Sequence, residues 1–297
     1  MNAPAPVVQV ENLTYAYGRA EAVHDLSLSV QPGRCYGLFG RNGAGKTTTM
    51  KCLLNLLRPH SGCVRVFGLD PAKREVEVKR LLAYVPDQVA FYPWMTVRET
   101  LDYLASFRAH WNRRVEAELF ERFGLDPAQR TGNLSKGQRT QVALIAAVCP
   151  ETELLVLDEP TSGLDPIVRR EFIAAVIGAY QQGNSGLRTI LVSTHLITEF
   201  EGLIDEFTII DRGHNVLTLE ADVARERYQK IRARFPGAPP DVDLGAALRV
   251  RRDGRELELI VNGAGPAIIE RLRQHQPEAL SSESLTLEEI FVAALKG

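Results

Sequence analysis

Hydrophobic and polar positions alternate with a period of two over the first thirty residues. Val8 and Val10 are separated by polar neighbours, and Leu26, Leu28 and Val30 repeat the pattern, so residues 7–30 are predicted as strands with one buried face. After a turn at Pro32-Gly33 the alternation stops. Cys35-Tyr36-Gly37-Leu38-Phe39 is a short apolar run, as expected of a strand covered on both faces. Residues 46–57 are predicted as a helix that stops around Pro59 and Gly62. Helical patterns follow at 97–107, 116–123 and 136–148, then an apolar strand at 154–157, a helix at 168–180, and strands at 189–193 and 207–211. Short apolar strands separated by helices predict an α/β fold with a mostly parallel sheet and helical crossovers. The helices stacked between the glycine loop and the next strand predict a helical subdomain over about residues 88–150.

The pattern changes after residue 220. Residues 221–235 are predicted as a basic amphipathic helix and Pro236-Gly237-Ala238-Pro239-Pro240 as a linker. Leu248 and Val250, then Leu257, Leu259 and Val261, flank Asp253-Gly254 and predict a hairpin turning on that dipeptide. Residues 267–273 are predicted helical, and Thr286-Leu287-Glu288-Glu289 is a capping box opening a last helix through Leu295. The expected division is therefore 1–220, a helix and linker over 221–240, and a small α+β domain over 241–297.

Composition narrows the function classes. With 45% apolar and 24% charged residues the chain has ordinary core material, and a net charge of −2 argues against a nucleic-acid partner. Cys35, Cys52, Cys63 and Cys149 form no CxxC pair, so reduced and mostly buried thiols are expected, as suits a reducing cytoplasm. The Pro-rich start lacks the basic-then-apolar pattern of a signal peptide, and the longest apolar run is far too short to span a bilayer. A role at a membrane would need another chain to do the spanning.

Four segments carry chemistry. Gly40-Arg41-Asn42-Gly43-Ala44-Gly45-Lys46-Thr47-Thr48 matches a phosphate loop between a strand and a helix. Its glycines let successive N–H groups point at phosphate oxygens, Lys46 reaches the β- and γ-phosphates, and the Thr47 hydroxyl suits Mg²⁺. Leu154-Leu155-Val156-Leu157-Asp158-Glu159 delivers two carboxylates at the end of a buried strand: Asp158 for the Mg²⁺ shell, Glu159 to polarise an attacking water. Leu134-Ser135-Lys136-Gly137-Gln138 places a Ser N-cap and a Gly at a helix start, where free N–H groups suit a phosphate. His195 follows another buried strand, where it can contact a γ-phosphate or be merely structural.

In order and spacing these four segments resemble the nucleotide-binding subunit of ABC transporters, over about residues 7–220, with Ser162-Gly163-Leu164-Asp165 as the loop after the acidic strand. The resemblance implies a P-loop NTPase core with an antiparallel β subdomain and a helical subdomain, here with a small C-terminal α+β appendage. It implies an ATPase using ATP and Mg²⁺, with Glu159 and His195 catalytic. Two subunits, as a homodimer, would stack head to tail around two ATP molecules. Each ATP would lie between Gly40–Thr48 of one subunit and Ser135, Gly137 and Gln138 of the other, with Asp165 crossing the interface. Tyr17 would stack on adenine, with Tyr15 as the alternate.

The sequence departs from the family pattern twice. Where the family has a Gln after the second core strand, this chain has Asp87 followed by Gln88, and either could complete the Mg²⁺ and water contacts. Lys136 replaces the first Gly of the family's Leu-Ser-Gly-Gly-Gln motif. The resemblance further implies a separate integral membrane permease subunit, a peripheral location at the cytoplasmic face of the cell membrane, and export. The aromatics of Phe91-Tyr92-Pro93-Trp94-Met95 would contact the permease or pack between the two lobes. The basic positions of 225–234 would form a solvated helix face or touch acidic lipid headgroups. A soluble ABC-type ATPase of repair, translation or cluster assembly is the alternative. Long coiled-coil insertions and a second cassette, which mark repair and translation members, do not appear.

Overall fold

The computed structural model describes residues 4–181, 188–242, 244 and 247–295. The chain divides into two compact units, 1–215 and 216–297.

The first unit opens with β1 (Val8–Tyr17) and β2 (Ala20–Val30), followed by β3 (Cys35–Phe39), α1 (Lys46–Leu53) and β4 (Ser61–Val66). β1 pairs antiparallel with both β2 and β4, Val8 lying opposite Val30 on one side and Val66 on the other. The period-two positions Val8, Val10, Leu26, Leu28, Val64 and Val66 all turn into one core. α1 ends at Leu53, short of the predicted Leu57, because Asn55 adopts a left-handed φ of 55°.

The chain continues through α2 (Glu75–Leu81), β5 (Leu82–Val85), α3 (Val97–Ala105), α4 (Arg113–Phe123), α5 (Lys136–Val148), β6 (Leu154–Asp158), α6 (Pro166–Gln181), β7 (Thr189–Thr194), α7 (Ile197–Phe200), β8 (Glu206–Asp211) and β9 (His214–Glu220). These strands build a six-stranded sheet in the order β5-β6-β7-β3-β8-β9, and the division between the two units falls within β9. β5, β6, β7, β3 and β8 run parallel. β3, β6 and β7 are buried at every position, which is why they read as unbroken apolar runs. Three helix starts carry the caps their sequences call for. Thr96 and Glu99 close a capping box on α3, Asn112 caps α4 and allows it to begin three residues before the predicted Glu116, and Ser135 with Gln138 closes a box on α5.

The second unit holds α8 (Ala221–Arg227), β10 (Tyr228–Arg234), β11 (Ala247–Asp253), β12 (Glu256–Asn262), α9 (Gly265–Arg273), β13 (Ala279–Ser284) and α10 (Leu287–Ala294). Its strands form an antiparallel sheet in the order β11-β12-β10-β13. The expected helix over 221–235 is therefore corrected: helix ends at Arg227 and a central strand follows. The reason is a period-two pattern inside the basic segment. Ile231, Ala233 and Phe235 face a core with Leu257, Leu259, Val261, Ile268 and Leu272, while Arg232 and Arg234 face away. The basic side chains are paired with carboxylates of neighbouring strands and of α10. Arg232 meets Glu258 at 3.0 Å and Glu283 at 2.9 Å, and Lys230 meets Glu289. The segment 236–240 consequently joins two strands of one sheet rather than separating domains. The hairpin turns one residue later than predicted. Asp253 pairs with Glu256, so Gly254 (φ 55°) and Arg255 make the turn. The box at Thr286 and Glu289 opens α10, with both of its hydrogen bonds formed.

Candidate nucleotide site

The carboxyl ends of β3, β6 and β7 converge, because Phe39 pairs in register with Thr194 and Asp158 with Ser193. Three loops therefore start side by side at one edge of the parallel sheet, the place where open α/β sheets bind ligands. From β3 the chain enters Gly40–Gly45 and then α1, whose N-cap is Gly45 with φ 106°. A Cβ at Gly45 would lie 2.4 Å from the Ala22 carbonyl oxygen, so both the positive φ and the close approach require glycine.

Lys46 is buried at the helix start. Its Nζ donates to the carbonyl of Gly40 at 2.7 Å and forms an ion pair with Glu159 Oε1 at 2.7 Å. Glu159 has a φ of 46°, and its amide donates to Ser193 O at 2.9 Å. That backbone turn points the second carboxylate oxygen at His195, Nδ1 to Oε2 2.7 Å. Asp158 is fully buried. Its Oδ1 accepts from Thr47 Oγ1 at 3.1 Å and from Ser193 Oγ, and its Oδ2 accepts from Tyr84 at 3.3 Å. Burial raises the Asp158 pKa above the ordinary carboxylate value, opposed by the Ser193 and Thr47 hydrogen bonds and reinforced by the Glu159 charge. Burial also pushes the Tyr84 phenol up, keeping it protonated as a donor.

A cavity of about 340 Å³ opens over this arrangement. Asn42, Gly43, Ala44, Gly45, Lys46, Thr47 and Thr48 line it, with Tyr17, Ala22, Asp87 and Glu159 around them. Of the two alternatives at each open position, Tyr17 and Asp87 line the cavity. Tyr15 packs against His60 (ring centroids 5.2 Å apart) and Gln88 is exposed outside it. Ser135, Gly137, Gln138 and Asp165 are not brought to it. Ser135 and Asp165 are exposed, and they cap α5 and α6, Asp165 accepting from Ile167 N at 3.0 Å. Ser193 and Tyr84, which hold Asp158, were not foreseen from the sequence. Their role depends on the order of strands in the sheet, which no local pattern encodes.

A second cavity of about 620 Å³ in this unit is apolar, with Leu54, Leu56, Leu82, Phe91, Leu104 and Phe107 among its lining. Tyr92 and Trp94 stack on each other with centroids 5.0 Å apart and are exposed rather than packed between lobes. All four cysteines are free. Burial pushes the thiols of Cys52 up to about 11 and Cys149 up to about 12, which leaves both unreactive.

A phosphate loop, a carboxylate pair and a histidine at adjacent parallel strand ends define a P-loop nucleotide-binding protein. Comparison with known proteins narrows the class. Residues 23–162 match the ABC transporter family model. The bacitracin transport ATP-binding protein BcrA of Bacillus licheniformis is 33% identical over 226 residues, covering 75% of this chain and 73% of that protein. The ABC transporter ATP-binding protein YtrB of Bacillus subtilis (strain 168) is 24% identical over 297 residues, 98% of this chain and 99% of its own length. A solved ATP-binding subunit of an ABC transporter superposes with a TM-score of 0.66 at 27% identity, covering 74% of this chain and 92% of that one. The chain belongs to the family of ABC transporter ATP-binding subunits, a family of ATP-binding domains that are generally ATPases and work with membrane components. No helix among the described residues is long and apolar enough to cross a membrane.

Proposed function

We propose that two copies of this chain enclose two ATP molecules, hydrolyse them, and drive a separate permease subunit at the cytoplasmic face of the cell membrane, in the direction of export. One observation carries the dimeric part of this reading. The cavity gathers Tyr17, the phosphate loop, Asp87 and Glu159, while the exposed cap Ser135 and the exposed Asp165 lie outside it on the same chain. Ser135, Gly137 and Gln138 are thereby free to close over the phosphates of a second copy, with Asp165 crossing between the two.

Within the cavity, backbone N–H groups of the loop and Lys46 hold the β- and γ-phosphates, and Tyr17 offers its ring to the adenine. Thr47, Asp158 and Asp87 are hard oxygen donors and fit Mg²⁺, since Thr47 Oγ1 and Asp158 Oδ1 already lie within 3.1 Å of each other. Mg²⁺, when bound, neutralises charge on the transferred phosphoryl group. Glu159 takes the proton of the attacking water as its oxygen bonds to the γ-phosphorus and the bond to the β-phosphate oxygen breaks. His195 orients Glu159 through its Nδ1 contact. The apolar cavity, with the exposed Phe107 and the cations Lys79, Arg80 and Arg108 in its lining, forms the docking face for the permease. Export is supported by a relative whose name records it, the Nod factor export ATP-binding protein I of Burkholderia orbicola (strain AU 1054).

The test is Glu159→Gln with saturating ATP and Mg²⁺, followed by size-exclusion chromatography with light scattering. A stable dimer that turns over at least about 100-fold more slowly is expected. A monomer at all ATP concentrations would sink the shared-site reading.

A further inference from the structure

We propose that Lys136 is a positioning residue that couples the phosphate-facing start of α5 to the hydrolytic carboxylate Glu159 of the same chain. The inference rests on the two-copy reading above. There, α5 of one chain meets the ATP of the other, so this link connects the two ATP sites.

A lysine at the first helical position faces the positive end of α5, an unfavourable placement. The side chain leans away from it, and Nζ donates to the carbonyl oxygen of Ser162 at 2.6 Å. Gly163 makes room: with φ 71°, its missing Cβ would lie 3.1 Å from Lys136 Nζ. The amide of Ser162 in turn donates to the carbonyl of Glu159 at 3.1 Å. Two hydrogen bonds in series thus join the helix start to the residue that handles the water proton. The same loop ends at Asp165, which caps α6 through Ile167 N and Val168 N. α5 and α6 are joined again where Gln141 Nε2 donates to Glu171 Oε2 at 3.2 Å. A displacement of the α5 start is therefore delivered to the 159–165 loop rather than absorbed between the helices.

The experiment uses the full-length protein with ATP and Mg²⁺. Lys136→Met keeps the length and removes the charge and donors; it should lower kcat roughly tenfold, leave KM for ATP within about twofold, and bring the Hill coefficient toward 1. Lys136→Arg should restore most of both. Gly163→Ala crowds Nζ and should lower kcat, and the double variant Lys136→Met/Gly163→Ala should be no slower than the worse single one. Wild-type kcat and cooperativity in Lys136→Met, or a loss that tracks melting temperature and is not relieved by arginine, would overturn the proposal. ATP-dependent dimerisation of Glu159→Gln separates the two readings. Without it both fall, whereas with it an unaffected Lys136→Met removes only the coupling.

Discussion

The ammonium of Lys46 and the carboxylate of Glu159 form an ion pair at 2.7 Å, their side chains 5% and 10% exposed. Each is the counter-ion of the other in a site nearly closed to water. On the proposed reading, a phosphate entering the loop would compete with Glu159 for Lys46, and Glu159 would keep its contact with His195. On that reading, phosphate binding and the freeing of Glu159 as general base are linked through one lysine.

Lys46→Ala should weaken ATP binding by at least about 100-fold, equivalent to about 2.7 kcal/mol. It should also destabilise the protein by about 2–3 kcal/mol, because the Glu159 carboxylate keeps its burial and loses its cation. Adding Glu159→Gln should recover much of the stability and none of the binding. Calorimetry for nucleotide and thermal melts for stability separate the two effects; near-normal ATP affinity in Lys46→Ala contradicts the phosphate-loop assignment.

Asp158 is a group whose folded-state pKa is raised, chiefly by burial. Its contribution to stability is fully present below the ordinary carboxylate pKa of about 4. That contribution is lost as pH rises through the raised value. Wherever the side chain is ionised, burying its charge is a cost to folding. Asp158→Asn should therefore raise the melting temperature at pH 7 by roughly 2–4 °C, about 1 kcal/mol, while Mg²⁺-dependent ATPase activity is lost. The gain should vanish at pH 3.5. An equal gain at both pH values would show that charge burial is not its cause.

Phe107 lines the apolar cavity of about 620 Å³ and is 67% exposed, and Trp94, 66% exposed, stacks on Tyr92. Phe107→Asp should leave ATP binding intact and abolish copurification of the permease from cells, and Trp94→Ala should weaken it about tenfold. Retention of the permease by Phe107→Asp would place the docking face elsewhere.

β10 lies between β12 and β13, so truncation points in the second unit are not equivalent. A chain ending at Glu220 should keep nucleotide binding. A chain ending at Phe235 keeps β10 without either partner, exposing Ile231, Ala233 and two unpaired edges, and should aggregate. Light scattering of the two truncations distinguishes them; equal solubility would contradict the central role of β10.

Much of the site was legible in the chain because its parts are contiguous. Gly40–Thr48 needs only a strand, a glycine turn and a helix start in succession, and those are set by neighbours within ten residues. The boxes at Ser135–Gln138 and Thr286–Glu289 are closed by atoms three residues apart. Resemblance to a family then assigned roles to residues far apart, and left two choices open.

Tertiary structure separated those alternatives by position and decided one element. Tyr17 and Asp87 line the nucleotide cavity, while Tyr15 and Gln88 lie outside it, because neighbouring residues on one short stretch differ only in which direction the fold turns them. Residues 228–234 carry charges that read as a helix face, yet they form a strand, because β12 and β13 supply hydrogen-bond partners and carboxylates from 22 to 55 residues downstream. Local hydrogen bonds and turn chemistry are properties of the sequence itself. Strand pairing, the ion pair of Lys46 with Glu159, and the reach of Lys136 to Ser162 require segments that only folding brings together.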